Sequence, residues 1–300
     1  MLTLRHEHFQ SDLSPDLAES LFKESITSIE LAISSYCNRR CRYCPNYYVD
    51  RHSTEHLMAD ALFDNIIDQL QRIGYSGDLA IHRYNEPFAN KTNTLFRIKQ
   101  IRCTLPDAKI IIFTNGDYLD QPLLRLLADI GVNNIIATLH LDNRVRSFPE
   151  LKEALQQRVR AFDMPFEFAS NQQMHSHHAY AVYHNLTLDY QTIDFWALKE
   201  NGALCAYDRG GCISTTGSFV RTQPCLMPFV QMQIDYDGTL LPCCNIHPEF
   251  EPHQQYVLGK LDETSNIFLA WTNRNYVTWR KELVKTGPKA APCTYCDMNT

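Results

Sequence analysis

Three cysteines stand close together at Cys37, Cys41 and Cys44, inside the stretch YCNRRCRYCPNYY. Thiolates are soft donors, and three of them on one short loop can hold three irons of a cubane iron–sulfur cluster. The fourth iron then has no protein ligand and is open to a small chelating molecule. A zinc loop with one ligand elsewhere is the other reading, although zinc motifs more often pair their cysteines as C-x2-C. A second set follows far downstream: Cys225, then Gly238, Cys243 and the adjacent Cys244, then Cys293 and Cys296. Four of these thiols, Cys225, Cys243, Cys293 and Cys296, could close a site completely, as a ligated 4Fe–4S cluster or as structural zinc.

The chain has 300 residues, 11 cysteines and no apolar signal core at its start, so the thiols are expected in a reducing cytoplasm and not in a disulfide framework. Their odd number agrees. Hydrophobic content of 44% and charged content of 21% are those of an ordinary globular protein. No segment has the apolar length of a membrane span, and a formal charge of −6 argues against broad nucleic-acid or acidic-membrane binding. No membrane or nucleic-acid partner is therefore expected.

Elements must place those thiols. Short apolar runs alternate with helical patterns between about residues 28 and 190. Strands are expected at 30–36, 78–84, 108–116, 133–141, 165–170 and 180–188, and helices at 58–74, 93–106, 119–131 and 148–162. This rhythm predicts an α/β fold of βα units around a parallel sheet, an open or incomplete barrel of five or six units. Functional groups then gather at the carboxyl ends of the strands. The histidines between 175 and 184 are expected in a solvated strand-joining loop. Cys103 falls in a helical pattern and is expected in the core. Residues 191–224 read as a linker, in which Asp208 and Arg209 could fold over the barrel mouth and in which Cys205 and Cys212 have no assigned part. Asp237-Gly238 is a hairpin signal inside a small C-terminal module of residues 225–300, with helices near 265–273 and 274–286. Residues 1–29 form an N-terminal extension before a barrel at 30–190.

The triad spacing resembles the signature of the radical S-adenosylmethionine (SAM) superfamily. That resemblance implies an incomplete (β/α)6 TIM-like barrel, a 4Fe–4S cluster whose open iron takes the methionine end of SAM, and an external electron donor such as flavodoxin or ferredoxin. Reductive cleavage then yields a 5′-deoxyadenosyl radical that abstracts a substrate hydrogen. Tyr43 matches the family's aromatic residue near the adenine. YNEPF (84–88) is similar to the family's Gly-Gly-Glu-Pro turn, which gives Asn85 and Glu86 the cofactor's amino group, with Tyr84 and Asn85 departing from the usual glycines. Thr114 and Asn115 match a further family position, and Thr138, His140, Asp142, Ser170 and Asn171 fall where more cofactor contacts occur. The C-terminal cysteines resemble the SPASM module in its shortened twitch form, an α+β domain with one auxiliary 4Fe–4S cluster.

These likenesses imply oxidation or epimerisation of a small polar molecule, with Cys244 as a speculative hydrogen donor for the second route. Two alternatives stand beside this: modification of a ribosomally made peptide, and activation of a glycyl-radical partner. The first usually goes with a longer N-terminal domain, and the second with extra cysteines soon after the triad.

Overall fold

The computed structural model describes residues 3–141, 147–194, 208–213, 219–296 and 298. Its strands are β1 (Ser28–Leu31), β2 (Asp78–Ala80), β3 (Lys109–Thr114), β4 (Asn134–Thr138), β5 (Glu167–Asn171), β6 (Ser176–Tyr183), β7 (Leu186–Ile193), β8 (Gln231–Ile234), β9 (Thr239–Leu241) and β10 (Gly259–Lys260). All lie in one sheet, in the order β10-β9-β8-β1-β2-β3-β4-β7-β6-β5. The six central strands, from β8 to β7, run parallel. They form the incomplete barrel that the alternating pattern predicts.

Helices α1 (Pro15–Ser25), α2 (Asp60–Arg72), α3 (Lys91–Thr104), α4 (Gln121–Asp129) and α5 (Phe148–Val159) have local causes. In α2, Leu62, Phe63, Ile66, Ile67 and Leu70 form one buried stripe, and Gly74, with φ +63°, follows its end. Asp120 caps α4 by accepting from the Leu123 N–H at 2.8 Å. Ser147 and Glu150 make a reciprocal capping box at the start of α5, with Pro149 in the first turn as expected. The N-terminal extension closes the base. Phe22 of α1 meets Phe268 and Trp271 edge-on, both in α7 (Ile267–Trp271), where α6 (Met227–Val230) and α8 (Arg274–Leu283) are the other α-helices of this end among the described residues. Among the described residues no helix is long and apolar enough to cross a membrane.

Three expectations need correction. The segment 165–170 is not the fifth parallel strand: β5 pairs antiparallel to β6 at the sheet edge and is exposed throughout. The fifth parallel place beside β4 belongs to β7. The run read as a strand at 180–188 is two strands joined by a tight turn at His184, whose φ is +55°. Two of the four histidines accordingly leave the loop, while His175 and His184 stay in the strand-joining turns. His177 and His178 lie in β6, where His177 is buried between the Phe148 carbonyl at 2.8 Å and Ser170 Oγ at 2.7 Å, and His178 meets Asp189 at 3.1 Å. Alternation with a period of two across 176–193, not polarity, decided the structure here.

The third correction concerns the C-terminal module. Its hairpin does turn at Gly238, where φ is +86° and a Cβ would collide with the Leu261 carbonyl. But β8, the hairpin's first strand, pairs in parallel with β1 and is itself the sixth barrel strand. The boundary at residue 225 therefore marks no break in the sheet.

Candidate active site and auxiliary thiol site

A cavity of about 370 Å3 opens at the carboxyl ends of the parallel strands, and Cys37, Cys41 and Cys44 line it together. Their loop is shaped by its own backbone. Cys37 N–H donates to the Arg51 carbonyl at 2.9 Å, and Cys44 N–H to that of Cys41 at 3.0 Å. Arg39 N–H points at Cys37 Sγ, 3.4 Å away. Burial pushes the Cys37 thiol up to about 12 and the Cys44 thiol to about 11, with Cys41 raised by the same cause. Such thiols stay protonated unless a cationic centre draws the protons off, which is how metal loading couples to deprotonation.

The donor set decides what fits. Among the described residues no three His, Cys, Asp or Glu side chains converge tightly enough to hold one metal ion. Zinc would need its sulfurs about 2.3 Å from a single point. Three thiols spread along one cavity wall instead suit a larger cubane bound at three corners.

A polar network positions this loop. Asp117 accepts from Arg39 Nε at 2.7 Å, from Arg39 Nη2, and from Asn38 Nδ2 at 2.7 Å. Burial alone would raise the Asp117 carboxyl, but its hydrogen bonds from Arg39 and Asn38 outweigh that and hold it below the usual range. Asn115 Nδ2 donates to Asn38 Oδ1 at 2.7 Å, and Arg39 Nη1 to the His140 carbonyl at 2.9 Å. The loop is thus tied to the ends of β3 and β4. Asp117 and Arg39 lie 78 residues apart, and no spacing in the sequence pairs them.

The turn after β2 is pinned to the same loop: Glu86 N–H donates to the Tyr36 carbonyl at 2.8 Å, and Asn46 Nδ2 to that of Tyr84 at 2.7 Å. Glu86 is 2% exposed. Its carboxylate accepts from Thr114 Oγ1 (2.7 Å), Asn115 N–H (2.7 Å) and Phe88 N–H (3.1 Å). A carboxylate has about four acceptor sites, so these bonds leave about one, on a group that lines the cavity. Asn85 accepts from Arg83 N–H at 3.0 Å and donates to Ser34 Oγ at 3.2 Å. Tyr43 stacks on His140, with its hydroxyl 2.7 Å from His140 Nδ1. Burial pushes that imidazole down to about 4 and keeps it neutral.

The cavity brings together Tyr43, Asn85, Glu86, Thr114, Asn115, Thr138 and Cys244. Ser170 and Asn171 are not with them. They sit in β5 at the outer sheet edge, where Ser170 serves His177. Gln191 and Ile193 of β7 line the wall in their stead. Sequence reasoning also missed Glu30, His82 and Arg83, which face the cavity from β1 and the end of β2. Apolar flanks hid them, and the inward parity of β1 was the only available signal. Arg209 lines the cavity as foreseen, and Asp208 is buried. Cys212 is buried, whereas Cys103 is exposed and not in the core. Asp142 and Cys205 lie outside the described residues.

Cys225, Cys243, Cys293 and Cys296 line a second, much smaller cavity walled by Met227, Trp279, Leu283 and Met298. Burial raises Cys243 well above an ordinary thiol and Cys293 to about 12. Four soft donors facing one small space can ligate every iron of a cubane, with no corner left for a substrate.

Buried charge joins the two sites. Arg51, whose carbonyl holds Cys37, donates from Nη2 to Asp235 Oδ2 at 2.7 Å and from Nε to Glu249 Oε2 at 3.2 Å. Asp235 directly follows β8 and also lies 3.8 Å from Arg83 Nη1. Arg83 Nη2 reaches the Ile246 carbonyl at 2.9 Å, and Tyr84 Oη donates to the Cys244 carbonyl at 2.7 Å. One chain of ion pairs and hydrogen bonds thus runs from the triad loop to the backbone beside Cys243.

Known proteins agree with this arrangement. The Radical SAM superfamily matches residues 31–167, and the SPASM iron–sulfur cluster-binding domain matches residues 225–297. The chain is 26% identical over 274 residues to the S-adenosyl-L-methionine-dependent 2-deoxy-scyllo-inosamine dehydrogenase of Niallia circulans, covering 90% of this chain and 92% of that one. Its fold is similar to that of BtrN in complex with AdoMet and 2-DOIA, with a TM-score of 0.58 at 24% identity over 87% of this chain and 88% of that one. Native anSMEcpe with bound AdoMet shares the fold more distantly, with a TM-score of 0.50 at 12% identity over 87% and 84% of the two chains. Motif, barrel and both domain matches converge on one conclusion: the chain is a radical SAM protein of the SPASM/twitch type, with SAM and 4Fe–4S clusters as its cofactors.

Proposed function

We propose that this enzyme oxidises an alcohol carbon of a small polar molecule, with Cys37, Cys41 and Cys44 holding the SAM cluster and Cys225, Cys243, Cys293 and Cys296 the auxiliary one. When bound, SAM and the first cluster supply a hydrogen-abstracting radical, and the auxiliary cluster supplies a place for the electron the substrate gives up. The remainder falls to side chains. Glu86, with its one open acceptor site, takes the cofactor's amino group, beside Asn85. Tyr43, Thr114, Asn115 and Thr138 flank the nucleoside.

The observation that carries the reading is the charged and polar lining of the cavity. Glu30, Arg83, Arg209 and Gln191 put one carboxyl, two guanidiniums and an amide around a volume of about 370 Å3. This polar lining suits a polyhydroxylated or amino-substituted substrate held beside the cofactor. His82 lines the same cavity, stacked on Phe113 at 4.5 Å, and among the described residues its buried Nδ1 has no hydrogen-bond partner. The dehydrogenase from Niallia circulans, which matches nearly the whole chain, supports oxidation.

Epimerisation is the second reading, favoured by Cys244. Its thiol lines the cavity, belongs to neither thiol set and is pushed up to about 12 by burial, so it is an S–H and not a thiolate. A neutral thiol can return a hydrogen atom to a carbon radical. Anaerobic turnover of 2-deoxy-scyllo-inosamine and other aminocyclitols in deuterium oxide separates the two. A two-electron-oxidised product without carbon-bound deuterium supports the dehydrogenase. Deuterium at carbon with no redox change, abolished in Cys244→Ala, overturns it in favour of the epimerase.

A further inference from the structure

Arg221 is 4% exposed and lies against the four-thiol cavity. Its guanidinium donates to the carbonyls of Met298 (2.7 Å), Pro224 (2.7 Å), Gln223 (3.1 Å) and Cys296 (3.3 Å), and Nη1 lies 4.0 Å from Cys296 Sγ. Among the described residues it has no carboxylate within ion-pair distance. Every partner is a neutral carbonyl or the sulfur. The contrast with Arg51, which is equally buried but meets both Asp235 and Glu249, is direct.

A buried guanidinium without a counter-charge is costly. Among the described residues the groups that touch it and could become anionic are the thiols, once Cys225, Cys243, Cys293 and Cys296 are thiolates on iron. Asn245 adds a second donor on the same face, with Nδ2 3.7 Å from Cys296 Sγ and 3.4 Å from Met298 Sδ. The charge of Asp208 also reaches Cys293 and Cys296, where it opposes the arginine.

We infer that Arg221, assisted by Asn245, is a redox-tuning residue that makes the auxiliary cluster easier to reduce. The inference rests on the four-thiol site holding that cluster. A fixed cation and N–H···S contacts stabilise the more negative of two cluster states, which raises the reduction potential. One electron is accepted and no bond to carbon is made or broken at this site. Easier reduction suits a cluster that takes an electron from a substrate radical.

The test is potentiometric titration of the reconstituted holoenzyme, followed by electron paramagnetic resonance, for the wild type, Arg221→Lys, Arg221→Met and Asn245→Ala. Arg221→Met should lower the auxiliary reduction equilibrium constant tenfold or more, about 59 mV for one electron. Asn245→Ala should shift it less in the same direction, while Arg221→Lys, which keeps the charge, should stay near the wild type. The triad cluster's potential should not move. Equal potentials in all four proteins overturn the inference, as does a fall in Arg221→Lys matching that in Arg221→Met, which would make the side chain only a clamp. If Arg221→Met cannot retain iron, an unshifted Asn245→Ala overturns it. A wild type without an auxiliary signal overturns the four-thiol reading instead.

Discussion

The two thiol sites are built on opposite plans. The triad takes its sulfurs from one loop eight residues long, in an open cavity shared with fifteen polar side chains. The auxiliary set gathers its sulfurs from residues 225 to 296 around a far smaller cavity walled by Met227, Trp279 and Leu283. The first leaves room for a ligand and surrounds it with hydrogen-bonding groups. The second leaves no such room, which suits the electron-accepting role proposed above. Local sequence makes the open site, and tertiary structure makes the small one.

The sharpest way to break this comparison is to remove one sulfur from each site. Cys41→Ala should abolish 5′-deoxyadenosine formation while retaining about four of about eight irons. Cys293→Ala should leave uncoupled SAM cleavage measurable and stop substrate oxidation. Iron content and 5′-deoxyadenosine release check both, and loss of both clusters from either variant would show that the sites are one cooperative unit.

Next in size is the link between them. Arg51→Met strands Asp235 and Glu249 without their cation and should cost about 3–5 kcal/mol, read from denaturant unfolding of the apoprotein. Burial alone would raise the Asp235 carboxyl, but Arg51 and Arg83 overcome it and hold its folded value below the unfolded one. The stabilisation from that shift is therefore complete above a pH of about 4, and it is lost as pH falls through the lowered folded value. Asp235→Asn should flatten that acid limb.

A smaller effect belongs to Glu86→Gln, which turns an acceptor-only group partly into a donor facing Thr114 and two backbone N–H groups. SAM binding, measured by calorimetry on cluster-loaded protein, should weaken by about 1–3 kcal/mol. Burial holds the Glu86 carboxyl above its usual range, so wild-type affinity should begin to fall on acidification at a higher pH than an ordinary glutamate would give. The variant should lack that dependence. The smallest change is Ser170→Ala, which should leave SAM affinity untouched, because Ser170 belongs to the outer sheet edge, and should cost about 1 kcal/mol of stability through the lost hydrogen bond to buried His177.

Much of this was legible in the chain itself. Cysteine spacing located both thiol sites, and the helical stripes of α2 and α4 and the β1–β4 runs located the barrel. Where reading failed, long-range pairing had overridden local pattern. Ser170 and Asn171 end a real strand, but only the partner of β4 shows that β7 occupies the fifth place. The Arg39–Asp117 fork and the Arg51–Asp235 pair join residues 78 and 184 apart. Glu30 is hidden because an inward polar residue on a barrel strand looks like any outward one until its neighbours are placed.

The seating of β8 beside β1 carries a consequence for biosynthesis. Thr27 hydrogen-bonds Val230 across 203 positions, so the first barrel strand stays unpaired on that flank until the last one has been translated. At 5–20 residues per second that wait is roughly 10–40 s, and contacts of such high order also slow folding. The nascent chain must keep three reactive cysteines waiting beside a half-finished sheet. Shortened chains ending before residue 231 should therefore emerge as aggregation-prone fragments and not as miniature enzymes.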